Sequence, residues 1–156
     1  MRETTTVTDA EALVRRAYHA AEGNVMDLQG FAELFADDGV IHAGEKTYRG
    51  EELTYIVKFL AKLAPDAHRE LHRVHVIGRV VAVELSIRGT FTGTFDSPAG
   101  VIHGNGAKLD VPAADFWCVE NGKIKEFNCY VGVSIMLQQM GIQSDFASAV
   151  RASAVR

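Results

Sequence analysis

Cysteine is scarce in this chain, with two in 156 residues, Cys118 and Cys129. Two thiols at that spacing make neither a disulfide framework nor a zinc-ligand set. Proline occurs three times, and no repeat or Pro/Ser-rich linker interrupts the sequence, which argues for one domain. Long apolar runs are missing: nothing approaches the roughly 20 residues of a membrane-spanning helix. Residues 1–6 are polar and carry no apolar signal-peptide core, so a cytoplasmic protein is expected. Net charge is −4, and the nearest thing to a basic cluster is His68, Arg69, His72, Arg73 and His75, read as the solvent side of a strand and its approach. That is no footprint for nucleic acid. None of the six histidines stands at a zincin-like or cupin-like spacing, and no phosphate loop, dinucleotide fingerprint or nucleophile elbow is present. No metal, cofactor, membrane or nucleic-acid partner is therefore expected.

What is present is an ordinary globular composition, 47% hydrophobic and 23% charged, in a chain long enough to bury a core. Thr8, with Asp9 and Glu11 behind it, reads as a helix start. Leu13, Val14, Ala17, Tyr18 and Ala21 then recur at helical spacing up to Gly23-Asn24. Asp27 caps a second short helix burying Leu28, Phe31, Leu34 and Phe35, stopped by Asp37-Asp38-Gly39. A short strand, residues 40–42, and a turn lead to a third helix after Gly50, with Leu53, Ile56, Val57, Leu60 and Leu63 on one face and Pro65 beyond its end. The period then changes from 3.6 to 2. Strands are expected over 71–77, 80–94, 108–119 and 123–131, with a loop over 95–106 and a helical turn or two over 134–140. Residues 143–156 read as a tail, and 1–142 as a single α+β domain.

Asn121-Gly122 between two strands is a strong hairpin signal. In a strict two-residue hairpin Glu120 faces Lys123, Trp117 faces Glu126 and Asp115 faces Asn128. Alternation then puts Asp115, Trp117, Asn128 and Tyr130 on one face, and Phe116, Lys125, Phe127 and Cys129 on the other. Neither face reads as solvated, so helices should cover one and a second copy of the chain the other; a homodimer is expected.

The residues from 8 to 142 resemble the SnoaL-like polyketide cyclases. The resemblance rests on residues 30–40 (GFAELFADDGV), Tyr48-Arg49-Gly50, Arg88-Gly89-Thr90-Phe91-Thr92-Gly93, Gly122-Lys123-Ile124-Lys125-Glu126 and Leu137-Gln138-Gln139-Met140-Gly141. It implies a cone-shaped curved antiparallel sheet packed on three N-terminal helices around a pocket, the nuclear-transport-factor-2-like (cystatin-like) fold of ketosteroid isomerase. The chain departs from the pattern at Phe91, where the family carries histidine, at Gly132, where it carries an acid/base aspartate, and at Asn128, where it carries tryptophan. Tyr18 and Asp115 resemble the isomerase's two hydrogen-bond donors to an enolate. No carboxylate stands at the isomerase's base position, and His42 could substitute, with a pKa near neutrality.

The expected catalytic set is therefore Asp115, Tyr18 and His42, with Trp117, Asn128, Tyr130, Phe59 and Arg88 around a small hydrophobic ligand. Asp115 among aromatics must find a partner such as Tyr18 or Asn128, or stay protonated. Arg88 either pairs across the sheet or anchors a ligand carboxylate. The expected activity is cofactor-independent acid/base chemistry, a cyclisation, isomerisation or dehydration, on a small hydrophobic carbonyl compound such as a polyketide-like or steroid-like metabolite. The alternative is a non-catalytic small-molecule carrier on the same scaffold. An epoxide hydrolase is disfavoured, because Thr90 stands where an acid two residues after Arg88 would be needed.

Overall fold

The computed structural model describes residues 2–155, and side chains from residue 9 onward. Helix α1 (Arg2–Ala21) starts earlier than Thr8, and its buried residues include Leu13, Val14, Ala17, Tyr18 and Ala21, the stripe its spacing predicts. Helix α2 (Leu28–Glu33) is capped by Asp27, whose carboxylate accepts from the Gly30 N–H at 2.9 Å. It stops before Phe35. Strand β1 (Phe35–Ala43) begins there, so Phe35 enters the core from a strand, and Asp37-Asp38-Gly39 form a bulge within β1 instead of ending a helix. Strand β2 (Lys46–Arg49) and a 3-10 turn (Gly50–Thr54) lead into α3 (Tyr55–Leu63).

Four long strands follow the change of period: β3 (His68–Ile77), β4 (Val80–Phe91), β7 (Ala107–Glu120) and β8 (Lys123–Val131). Between β4 and β7, where a loop is expected, β5 (Thr94–Ser97) and β6 (Gly100–His103) form a separate hairpin. β4 ends before Thr94 because the Gly93 N–H donates to the Leu63 carbonyl at 3.1 Å, so tightly that a Cβ on Gly93 would lie 1.7 Å from the Lys62 oxygen. Helix α4 (Val133–Gln139) covers the far end of the sheet, and the tail forms α5 (Phe146–Ala154), with no buried residue. Among the described residues no helix is long and apolar enough to cross a membrane.

The curved six-stranded sheet runs β2-β1-β8-β7-β4-β3 and is antiparallel except where β1 lies parallel to β8. Its inner face packs on α1 through Ile41, Val81, Val83, Leu85, Trp117, Ile124 and Phe127. A second cluster, Leu60, Leu63, Phe91, Leu109, Val111, Met136 and Met140, joins α3 and α4 to the sheet's far end. The expected central hollow is filled: Phe31, Phe35, Tyr18, Trp117 and Phe127 occupy it.

The hairpin register differs from the expected one. Asn121 and Gly122 both have positive φ, as a two-residue turn requires, and Glu120 does face Lys123. The pairing then shifts: Val119 faces Ile124, but Cys118 faces Glu126 and Trp117 faces Phe127, leaving Lys125 as a bulge residue. One extra residue reverses the face of everything beyond it. Phe127 and Cys129 turn inward, and Asn128 and Tyr130 turn outward beside Phe116. The cause is apolar: Ile124 and Phe127 differ in parity, and only a bulge between them lets both enter the core. Lys125 is held outside by Asp38, from the bulge of β1.

Candidate functional site

Tyr18, on the inward stripe of α1, meets the inner face of β7 at Asp115 and Trp117. The Trp117 indole N–H donates to the Tyr18 hydroxyl at 2.9 Å, and that hydroxyl donates to Asp115 Oδ2 at 2.7 Å. Trp117 is fixed by stacking on Phe127, centroids 3.6 Å apart, and by edge contact with the Tyr18 ring at 5.2 Å. Asp115 is only 4% exposed, and its second oxygen, Oδ1, has no hydrogen-bond partner. Burial therefore pushes its carboxyl up to about 6, against the opposing pull of the Tyr18 hydroxyl, the Cys129 thiol and the positive charge of Arg69. Burial, and next the Asp115 charge, raise the Tyr18 phenol and the Cys129 thiol above their ordinary values. Tyr18 thus fixes Oδ2, Oδ1 is left without a hydrogen-bond partner, and the carboxyl keeps its proton to a higher pH than a solvated aspartate would.

From solvent, the site is approached by a groove of about 600 Å³ between α1 and β3, walled by Tyr18, Glu22, Val25, Ala67, Arg69 and Leu71 among others. Tyr18 stands between this groove and Asp115. Arg69 donates from Nη1 to the Ala21 carbonyl at 2.7 Å, and burial holds its pKa below the usual arginine range. Glu22 accepts from the Arg69 backbone N–H at 3.1 Å and pairs with His68 at 3.2 Å.

Of the expected residues, Asp115, Tyr18 and Trp117 come together. His42 does not: it lies on the outer face opposite Asn128, its Nδ1 2.9 Å from Thr47 Oγ1 and its Nε2 3.4 Å from Glu126. Asn128 donates to Glu126 at 3.2 Å on that same face, and Tyr130 is 61% exposed there, so neither reaches Asp115. Phe59 sits exposed on α3, edge-on to Phe95 at 6.0 Å. Arg88 pairs with Asp110 at 3.3 Å, and Glu84 with Arg73 at 3.1 Å. The bulge explains the displacement of Asn128 and Tyr130. His42 moves because β1 presents Ile41, not His42, to the core.

Sequence reasoning missed Arg69, Glu22 and Cys129. Arg69 sits in a basic-looking run, yet it shares parity with Leu71, an inward residue of the same strand, and that parity was the available signal. Cys129 faces Asp115 only because of the bulge, which the opposed parity of Ile124 and Phe127 announces.

Residues 14–127 match the family model of the SnoaL-like domain. No curated protein matches the chain by sequence. Among solved structures, the chain is similar to AclR of Streptomyces galilaeus, a candidate hydroxylase, at 17% identity and TM-score 0.76 over 88% of this chain and 99% of that one. It is similar to a candidate SnoaL-like polyketide cyclase from Jannaschia sp. CCS1 at 16% identity and TM-score 0.77, over 88% and 94%. IdmH of Streptomyces antibioticus, a candidate polyketide cyclase, is similar at 22% identity and TM-score 0.71, over 85% and 98%.

Proposed function

The chain belongs to the SnoaL-like domain family, and from that premise we propose that it catalyses acid/base chemistry on a small hydrophobic carbonyl compound. The observation that carries the reading is Asp115: buried, unpartnered at Oδ1, and pushed up to about 6. A group with that pKa can both take and return a proton near neutral pH. Because His42 lies across the sheet, moving the proton falls to Asp115 itself, and Tyr18 becomes the residue that positions it. In the ionised state Oδ1 takes a proton from the carbon beside the carbonyl, and the C–H electron pair moves toward the carbonyl oxygen to give an enolate. The same proton then returns to another atom of the substrate, giving isomerisation, or the enolate carbon attacks a second carbonyl in the same molecule and the alkoxide that forms takes the proton from Asp115, giving cyclisation. The reading includes a cytoplasmic setting, where the free thiols Cys118 and Cys129 persist.

Deuterium exchange tests it without knowledge of the natural substrate. With a simple ketone such as 2-tetralone in D2O, the wild type is expected to accelerate exchange beside the carbonyl. Asp115→Asn should lose about a hundredfold of that acceleration, with Tyr18→Phe losing less. A wild type that binds the ketone and exchanges no faster than Asp115→Asn supports the second reading, binding without turnover. Closure of Asp115 behind Tyr18 favours that second reading, as does Phe91, a fully buried core residue where the family carries histidine.

We also propose a homodimer through the outer sheet face. Phe116, 43% exposed, and Tyr130 meet edge-to-face at 6.0 Å there, Val80 is exposed on the same face opposite Cys118, and the chain's own helices leave them uncovered. Sedimentation should give a dimer for the wild type and a monomer for Tyr130→Asp; a monomeric wild type removes the proposal.

A further inference from the structure

We propose that the groove between α1 and β3 takes a carbonyl compound bearing a carboxylate, which Arg69 grips with both donors of one guanidinium edge. This rests on the acid/base reading of the same site and narrows its substrate to anionic molecules. Arg69 is held in place by its strand and by the bond from Nη1 to the Ala21 carbonyl. Nε and Nη2 have no hydrogen-bond partner among the described residues, and no carboxylate there forms an ion pair with the guanidinium. Those two nitrogens are the parallel donors whose spacing fits both oxygens of a single carboxylate.

The acidic groups that wall the groove are already engaged. Glu22 is held by the Arg69 backbone N–H and His68, and Asp66 accepts from the Thr90 N–H at 2.7 Å and the Thr90 hydroxyl at 2.8 Å. Arg69 is thus a partly desolvated cation: the charges of Glu22 and Asp115 oppose the effect of burial, yet burial outweighs them and holds its pKa below the usual arginine range. The remaining walls, Leu71, Val25, Ala67 and the Tyr18 ring, offer apolar contact for the rest of the ligand. Of the two roles the sequence leaves open for Arg88, the cross-sheet pair is the one found, with Asp110 on the outer face, so the anchoring role falls to Arg69.

Titration calorimetry with 2-naphthoate and its neutral isostere 2-naphthamide tests this at physiological salt, with 15N-edited spectra following the Arg69 Nε–H. The wild type is expected to bind the carboxylate about tenfold or more tightly, with the Nε–H resonance shifted. Arg69→Gln should bind both compounds alike; Arg69→Lys, which keeps the charge, should retain only part of the preference. Equal wild-type affinities would overturn the proposal, as would a carboxylate preference that leaves the Nε–H resonance unmoved. The wild-type comparison stands even if a variant fails to fold. Naphthoate preference with no deuterium exchange on 2-tetralone keeps the anchor and removes catalysis, whereas exchange with no preference does the reverse.

Discussion

Asp115→Asn is expected to change how stability varies with pH, by about 3 kcal/mol between pH 4 and pH 8. The folded carboxyl sits at about 6, above its ordinary 3.8. Between those values the folded protein holds one proton more than the unfolded chain, so stability falls as pH rises, by about 1.4 kcal/mol per unit. The contribution is fully present below about pH 3.8 and gone above about pH 6. Asparagine cannot ionise, yet its side-chain oxygen can still accept from Tyr18. Its amide brings a buried donor to the Oδ1 position, which shifts stability by a roughly constant amount and leaves the slope untouched. Surface carboxylates with lowered values, Asp66 and Glu70 among them, act in the opposite direction in both proteins. Urea unfolding of the two proteins at several pH values isolates Asp115 as the difference curve. A difference that stays flat from pH 4 to pH 8 would mean that Asp115 ionises like a surface carboxylate, and the proton-carrying role would fall with it.

Trp117→Ala should cost about 3–5 kcal/mol, the usual range for emptying a large aromatic site. Trp117 is 1% exposed, stacks on Phe127 and donates to Tyr18. Its removal opens a cavity and frees the hydroxyl that holds Asp115. Phe127→Ala should be comparably damaging, whereas Tyr130→Ala, on the exposed face, should change stability of the monomer by less than about 1 kcal/mol. The contrast reads the register directly. In an unbulged hairpin Tyr130 would share the face of Trp117 and Phe127 would be outside, so the costs at 127 and 130 would be exchanged. Chemical denaturation of the three variants decides between them, and a costly Tyr130→Ala with a silent Phe127→Ala would sink the bulged register.

Much of the local structure follows from sequence because its causes are local. The α1 stripe, the Asp27 cap, the Asn121-Gly122 turn and the inward set Val81, Val83, Leu85 and Phe91 each depend on spacing or backbone preference within a few residues. The pairing of Tyr18 with Asp115 was foreseeable on two grounds, the cost of leaving a carboxylate alone among aromatics and the likeness to ketosteroid isomerase. Strand limits were less legible: the end of β4 depends on Gly93 meeting the α3 carbonyls, a contact between segments 30 residues apart.

By itself, then, the sequence determined an α+β chain of the SnoaL-like kind with a buried aspartate beside a tyrosine, since hydrophobic period and desolvation cost act wherever the chain goes. The tertiary structure alone decided which β8 residues face that aspartate. A bulge at Lys125, set by the competing claims of Ile124 and Phe127 on one core, brought Cys129 in and sent Asn128 and Tyr130 out. It also decided that Arg69, not His42 or Arg88, lines the approach to the site, because the curvature of the sheet around α1 brings the start of β3 against the helix's last turn.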